Sequence, residues 1–369
     1  MKIGIDAHGV GGHSLGMGNE TYFRNLIHAL LAIDQRNEYH IFINHPEAME
    51  EVVRDHPNAN LVSLFPHSQW VQRPLSIPLY VSKHKLDIVH VAFISPPFTR
   101  CKTVITVHDT SYELRPKDYR WLDRWRMKLL VPGSCRRADL IFTVSEHARR
   151  EINEWYGIPL EKIVVTHNAA DHVKQRNNGG GKIPAFRADL PTPYMLFLGL
   201  IQPRKNLVRL VEAFDRVKSR LDLPHHLVIA GRWGWGNGEL KRTLGRLKHR
   251  DRIHFVGYVP LTEIDKLMRD AALFVFPSLY EAFAIPPMEA QRQSVPALVA
   301  NNTCFPEIYG DSVIYCDPLS INSIADGIAR GLQDSALRAE LVKRGFEKVR
   351  EYSWAKTARI ALDAYESLL

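Results

Sequence analysis

Short apolar runs, each the length of one buried strand, alternate with helix-patterned stretches along almost the whole chain, and this alternation limits the fold class. In the first half the runs are residues 1–6, 38–44, 61–64, 88–91, 102–107 and 140–144. In the second they are 194–199, 226–230, 253–256, 273–276, 296–299 and 313–315. Strands apolar on both faces belong to parallel sheets covered by helices on either side. Helical patterning at 20–33, 145–156, 206–221, 262–270 and 321–332 supplies those helices. The implied class is α/β, with two doubly wound, Rossmann-like parallel-sheet domains in tandem. At 369 residues the chain is long enough for both. A polar, glycine-rich stretch at 174–182 carries no apolar period and reads as a linker. The expected division is 1–173, a linker at 174–190, and a second domain at 191–350. Ala358, Leu362 and Tyr365 recur at helical spacing within 351–369, which reads as a terminal helix.

Composition narrows the function classes. Hydrophobic residues at 45% and charged residues at 24% suit a soluble globular protein. No apolar run approaches the roughly 20 residues that span a bilayer. Residues 1–6 read as a first strand and not as a secretion signal. The four cysteines, Cys101, Cys135, Cys304 and Cys316, lack metal or disulfide-scaffold spacing, so a cytoplasmic location is expected. A net charge of +8 suits nucleic acid, anionic lipid or phosphorylated substrates equally. No nucleic-acid motif accompanies it, and no nucleic-acid partner is expected.

Two segments of the second half carry chemistry. Pro203-Arg204-Lys205-Asn206-Leu207 follows the run at 194–199 and precedes a helix. Arginine offers a planar fork and lysine a mobile point charge, and helix-start amides add to both, a set that suits a diphosphate. Solvated cations with no ligand are disfavoured there, because the dipole at a helix start repels positive charge. The second segment follows the run at 273–276 and holds Glu281 and Glu289, separated by Phe283 and by Pro286-Pro287. Proline in a first turn marks a helix start, so Glu281 falls in the loop and Glu289 in the helix. Ligands of open α/β sheets bind outside the carboxyl ends of the strands, where this loop lies. Carboxylates there accept sugar or ribose hydroxyls, although two glutamates at this spacing also arise as an unrelated surface pair.

Glu281-x7-Glu289 after an apolar strand, with Pro-Arg-Lys-Asn-Leu upstream, resembles the retaining glycosyltransferases of family 4. The resemblance implies a GT-B fold, with the two domains facing a central cleft and the last helix crossing back to the first domain. A helix that stays on the second domain is the simpler alternative. It further implies a metal-independent hexosyltransferase with no cofactor, in keeping with the lack of any Asp-x-Asp in the chain. By resemblance Arg204 and Lys205 meet the donor pyrophosphate, Glu281 the transferred hexose and Glu289 the ribose. Backbone at Phe283, Ala284 and Ile285 would hold diphosphate and sugar, and backbone near Val259 the base. The motifs look most like bacterial O-antigen and exopolysaccharide enzymes. GDP-mannose is therefore the first donor expected and a UDP-sugar the second, with a glycan or lipid-linked acceptor. The chain departs from the family in reading Ala282 and Ala284 at usual glycines, and Ser294 at another. Positive φ at those positions would strain the loop. A catalytically weakened nucleotide-sugar-binding subunit of a polysaccharide-assembly complex is the alternative they raise.

In the first half, Gly16 and Gly18 resemble the family's glycine loop beside the diphosphate. A flexible turn with Asn19 as helix cap explains them equally. His108, at the end of the run 102–107, resembles the family's interdomain histidine, placed to donate to a sugar hydroxyl or to leaving-group charge. A backbone-satisfied structural histidine is the alternative. Lys117, Arg120, Arg124 and Lys128 share a helical face beside Trp121, Trp125 and Leu129. Residues 117–130 therefore fit an anionic membrane surface, at the inner face of a membrane, or a solvated helix with a packed aromatic stripe.

Overall fold

The computed structural model describes residues 1–11, 18–68, 71–172 and 190–369. Gly16 and most of the expected linker lie outside the described residues. The chain forms two compact units, Met1–Asn168 with Ser353–Leu369, and Ala169–Tyr352.

In the first unit seven strands form one parallel sheet: β1 (Lys2–Asp6), β2 (Glu38–Phe42), β3 (Ala59–Val62), β4 (Ile88–Ala92), β5 (Lys102–Thr106), β6 (Leu140–Thr143) and β7 (Ile163–Val165). Their order is β3-β2-β1-β4-β5-β6-β7. The three-residue β7 pairs with β6 at the edge, and so short a run shows no period in sequence. The central strands are buried on both faces, with Ile3, Ile5, Val89, Val91, Val104 and Ile105 at 0% exposure. Helix Gly18–Ile33 buries Tyr22, Phe23, Leu26, Ile27 and Leu30 and packs against the terminal helix Trp354–Glu366. It begins at Gly18, so Asn19 lies inside it and does not cap it.

The terminal helix Trp354–Glu366 belongs to this unit. Ser353 caps it, accepting from the Lys356 amide at 3.2 Å. Tyr365 OH lies 2.7 Å from His90 Nδ1, while His90 Nε2 is 2.6 Å from Thr106 Oγ1. Burial, with His108 nearby, pushes the His90 imidazole down to about 3. A neutral ring has one donor and one acceptor nitrogen, and these contacts use both.

The basic, tryptophan-bearing stretch at 117–130 is not one helix. Pro116–Asp118 forms a separate turn, and Arg120 is extended (φ −64°, ψ 136°) before helix Trp121–Arg137 begins. Lys117 therefore leaves the shared face. Proline at the start of the turn and the extended Tyr119 and Arg120 break the register that spacing alone suggested.

The second unit holds β8 (Tyr194–Leu198), β9 (His226–Ala230), β10 (Ile253–Gly257), β11 (Leu273–Phe276), β12 (Ala297–Ala300) and β13 (Ile314–Cys316). All are parallel, in the order β10-β9-β8-β11-β12-β13. Helix Leu207–Arg220 buries Leu207, Leu210, Val211, Phe214 and Val217. At the ends of β8 and β9 the backbones close tightly: a Cβ on Gly231 (φ +140°) would sit 1.9 Å from the Gly199 carbonyl oxygen. Only glycine allows that approach. Strand order reverses between β1 and β4 in one sheet and between β8 and β11 in the other. Those reversals open the crevices where ligands of doubly wound sheets bind.

Candidate active site

The second unit's reversal point is built from the loops after β8 and β11. After β8, Pro203–Lys205 makes one tight turn, and Asn206 follows in the left-handed region (φ 61°) before the helix starts. Asparagine is among the few residues that tolerate this conformation. Its side-chain amide donates to the Pro277 and Pro318 carbonyls at 2.9 and 2.7 Å. The Leu279 amide donates to the Arg204 carbonyl at 2.8 Å. Asn302 Nδ2 holds the Leu279 carbonyl at 3.0 Å. The two loops are thus tied together by backbone and amide contacts before any charge is considered.

On that frame the charged side chains meet. Lys205 Nζ lies 2.7 Å from Glu281 Oε1, and Arg204 Nη1 lies 3.4 Å from Glu281 Oε2. Arg204 Nη1 also donates to the Tyr280 carbonyl at 3.1 Å, and Lys205 Nζ sits 4.7 Å from the centre of the Phe276 ring. Glu281 is 6% exposed. Burial alone would raise its carboxyl, but the charges of Lys205 and Arg204 outweigh burial and hold it below the usual glutamate value. Two cations thus converge on one carboxylate at the carboxyl edge of the sheet, their side chains already ordered by these contacts.

Phe283, Ala284 and Ile285 lead into helix Ile285–Arg292, all nearly buried. Ala284 has φ +65° and Ser294 φ +62°, whereas Ala282 is not in the positive-φ region. The Ala284 carbonyl accepts from Tyr309 OH, which fixes the turn. Alanine in this region costs about 1 to 2 kcal/mol relative to glycine, part of which returns as glycine's extra unfolded-state entropy. Ala284→Gly is therefore expected to stabilise the protein by about 0.5–1 kcal/mol, read as a raised urea midpoint with unchanged slope. A lowered midpoint would show that the loop does not store this strain.

Glu289 lies within the same helix, where Oε1 meets His172 Nε2 at 3.1 Å. Burial works against protonation of His172, yet the Glu289 contact outweighs it and raises the imidazole above its ordinary value. Val259 is buried just after β10.

His108 and Gly18 belong to the first unit. Gly18 is exposed at the start of its helix. His108 follows β5 with its ring edge-on to Tyr22 at 4.8 Å and near Phe93 at 5.7 Å. Burial pushes it down to about 4, against the pull of Asp109, so the ring is neutral near pH 7. Its Nε2 is buried with no hydrogen-bond partner among the described residues.

Three residues of the frame carried no functional expectation. Asn206 stood inside the recognised motif, but its partners lie 71 and 112 positions away. His172 and Asn302 carried no sequence signal.

Comparison with known proteins agrees with this architecture. The model "Glycosyltransferase Family 4" matches residues 17–174, and "Glycosyl transferases group 1" matches 182–348. The chain is 30% identical over 270 residues to the Escherichia coli O-antigen chain mannosyltransferase B, covering 72% of this chain and 71% of that protein. Among solved structures, a sucrose-phosphate synthase from Thermosynechococcus elongatus superposes with a TM-score of 0.77 at 19% identity, covering 100% of this chain and 98% of the other. Anabaena HepE in complex with UDP-glucose superposes with a TM-score of 0.74 at 17% identity, covering all of both chains. With two Rossmann-like parallel-sheet domains and both halves matched, the chain belongs to the family 4 glycosyltransferases of the GT-B fold.

Proposed function

We propose that this glycosyltransferase moves mannose, with retention, from GDP-mannose to a glycan or lipid-linked acceptor, needing neither metal nor cofactor. The observation that carries the reading is the cation pair, Arg204 and Lys205, brought together against Glu281 at the carboxyl edge of the sheet. In the proposed step the bond from the sugar's anomeric carbon to the diphosphate breaks. The acceptor oxygen bonds that carbon from the same face, and the hydroxyl proton passes to the departing phosphate. Arg204 and Lys205 neutralise the charge that grows on the leaving group. Amides at 283–285 bind phosphate and sugar oxygens, Glu281 takes a hexose hydroxyl, and backbone at Val259 meets the base. Glu289 accepts the ribose hydroxyls, which compete with His172 for the same carboxylate. Gly16 and Gly18 border the diphosphate, and neutral His108 hydrogen-bonds the sugar. Mannose is favoured by the mannosyltransferase named among the relatives. A UDP-sugar is the second donor, on the strength of HepE.

A ligand bound only by the folded site raises the melting temperature by mass action. GDP-mannose is expected to raise it above any UDP-sugar, and Glu289→Ala to weaken GDP binding about 10- to 100-fold, as lost hydrogen bonds to a charged group imply. A Glu289→Ala protein that binds GDP as tightly as the parent would contradict the ribose role. A nucleotide-binding subunit without turnover is the second reading, favoured by the strained Ala284 and Ser294. Binding of GDP-mannose with no product from any acceptor would select it.

A membrane role is part of the same proposal. Among the described residues no helix is long and apolar enough to cross a bilayer. Trp121, Trp125 and Leu129 nevertheless stand 72%, 62% and 77% exposed along one helical stripe, so they are not a packed core. Arg120, Arg124 and Arg126 are close to them in sequence, with Arg126 paired to Asp123 at 3.8 Å and Lys128 to Glu113 at 2.6 Å. Apolar side chains interspersed with arginine in sequence suit an anionic lipid surface carrying the acceptor. The protein is expected to sediment with phosphatidylglycerol vesicles and not with phosphatidylcholine, and to lose this in Trp121→Ser/Trp125→Ser. Equal sedimentation of parent and variant would refute the surface.

A further inference from the structure

The first unit has a reversal point of its own, between β1 and β4, and a buried polar cluster stands there. Asp6 ends β1, and its Oδ1 accepts from the backbone amide of His8 at 3.1 Å. The same oxygen meets His8 Nδ1, and Oδ2 meets Arg73 Nη2 at 3.3 Å from the turn Gln72–Ser76. Asp6 is 4% exposed and His8 7%. Burial alone would raise the Asp6 carboxyl, but His8 and Arg73 overcome it and hold the group ionised. A carboxylate only accepts, so the proton of the contact sits on His8 Nδ1. In a neutral ring Nε2 is then a lone pair. That atom is buried and has no partner among the described residues, as is also true of Arg73 Nε.

Buried polar atoms are almost always satisfied, so each exception needs a reason. Had the cluster served only to tie down the loop, the Asp6 contacts would suffice and an apolar edge could replace Nε2. A Cβ on the adjacent Gly9 would meet no described atom within 4 Å, so the backbone next to His8 is open on that side. We infer that His8 is a binding residue for the acceptor, its Nε2 accepting a hydrogen bond from a hydroxyl of the acceptor sugar while Asp6 fixes the ring. The crevice of a doubly wound sheet is where such a ligand belongs. Arg73 Nε is a second buried donor, on the guanidinium that meets Asp6, and suits a ring or hydroxyl oxygen. This assignment rests on the glycosyl-transfer reading above, and it concerns the acceptor alone.

Two substitutions separate binding from scaffolding. Asparagine places its amide near the Nδ1 position, so His8→Asn keeps a donor to Asp6 and removes the group at Nε2. Glutamine reaches the Nε2 position, so His8→Gln keeps an acceptor there. Affinities for methyl α-mannoside, methyl α-glucoside and an α-linked mannobiose are measured by saturation-transfer NMR with GDP present, and GDP affinity by thermal shift. His8→Asn is expected to weaken the bound glycoside about tenfold, the worth of one buried hydrogen bond, with GDP affinity unchanged. His8→Gln is expected to recover most of that loss. Equal glycoside affinity in parent and His8→Asn, or no glycoside bound by the parent, overturns the assignment while GDP binding stands. Loss of glycoside and GDP binding together in His8→Asn would mark a scaffold role and also overturn it. A parent protein that binds no nucleotide defeats the glycosyl-transfer reading itself, and the assignment with it.

Discussion

Lys205→Ala is expected to cut transfer from the nucleotide-sugar donor by about 10²- to 10³-fold, the range seen when one preorganised charge stabiliser is removed. The same change is expected to destabilise the protein by about 3 kcal/mol, because it strands a buried carboxylate. Lys205 and Glu281 side chains are only 11% and 8% exposed, so solvent screens their 2.7 Å contact little. The substitution does not silence turnover alone, since Glu281 loses its 2.7 Å contact and keeps the longer one, to Arg204 at 3.4 Å. Lys205→Ala/Glu281→Gln separates the effects: removing the stranded charge restores stability, while transfer stays low. Recovery of transfer in the double variant would mean that Lys205 serves only Glu281. The pair also predicts an acid limit. Because the folded-state value of Glu281 is depressed, its stabilisation is full above the ordinary value of 4.5 and is lost as pH falls through the lowered one.

Asn206→Ala carries the second large effect, and it reaches activity through position alone. The substitution deletes two buried hydrogen bonds, leaves the Pro277 and Pro318 carbonyls without this donor, and puts alanine at φ 61°. Unsatisfied buried acceptors cost about 1–3 kcal/mol each, and the backbone adds about 1 kcal/mol. A loss of about 3–7 kcal/mol follows, read as a fall in the melting temperature of the second domain. Asn206→Gly relieves the backbone cost but not the hydrogen bonds, so its melting temperature is expected between those of parent and alanine variant. If the glycine variant matches the parent, the two carbonyl contacts contribute nothing.

The fold was legible because buried parallel strands announce themselves as apolar runs, and twelve of the thirteen strands among the described residues did so. The exception, β7, has three residues and earns its place only by pairing with β6. The cations and Glu281 were legible through local spacing, since a strand end followed by a helix start restricts where such side chains project. Their mutual contact was not, because 76 residues separate Lys205 from Glu281. The Glu289–His172 contact is hidden for the same reason, at a separation of 117. Alanine at 282 and 284 showed where strain would fall if φ were positive. Only the backbone reveals that position 284, and not 282, carries it. The stripe of Trp121, Trp125 and Leu129 was correctly spaced, but periodicity extended it to Lys117 across a proline turn that ends the register.

A crystal structure of the chain with GDP tests the central claim most directly. The diphosphate should lie within hydrogen-bonding distance of Arg204 and Lys205, at the carboxyl edge between β8 and β11, with the ribose on Glu289 in place of His172. A diphosphate bound elsewhere, with Lys205 still closed on Glu281 and His172 on Glu289, would contradict it.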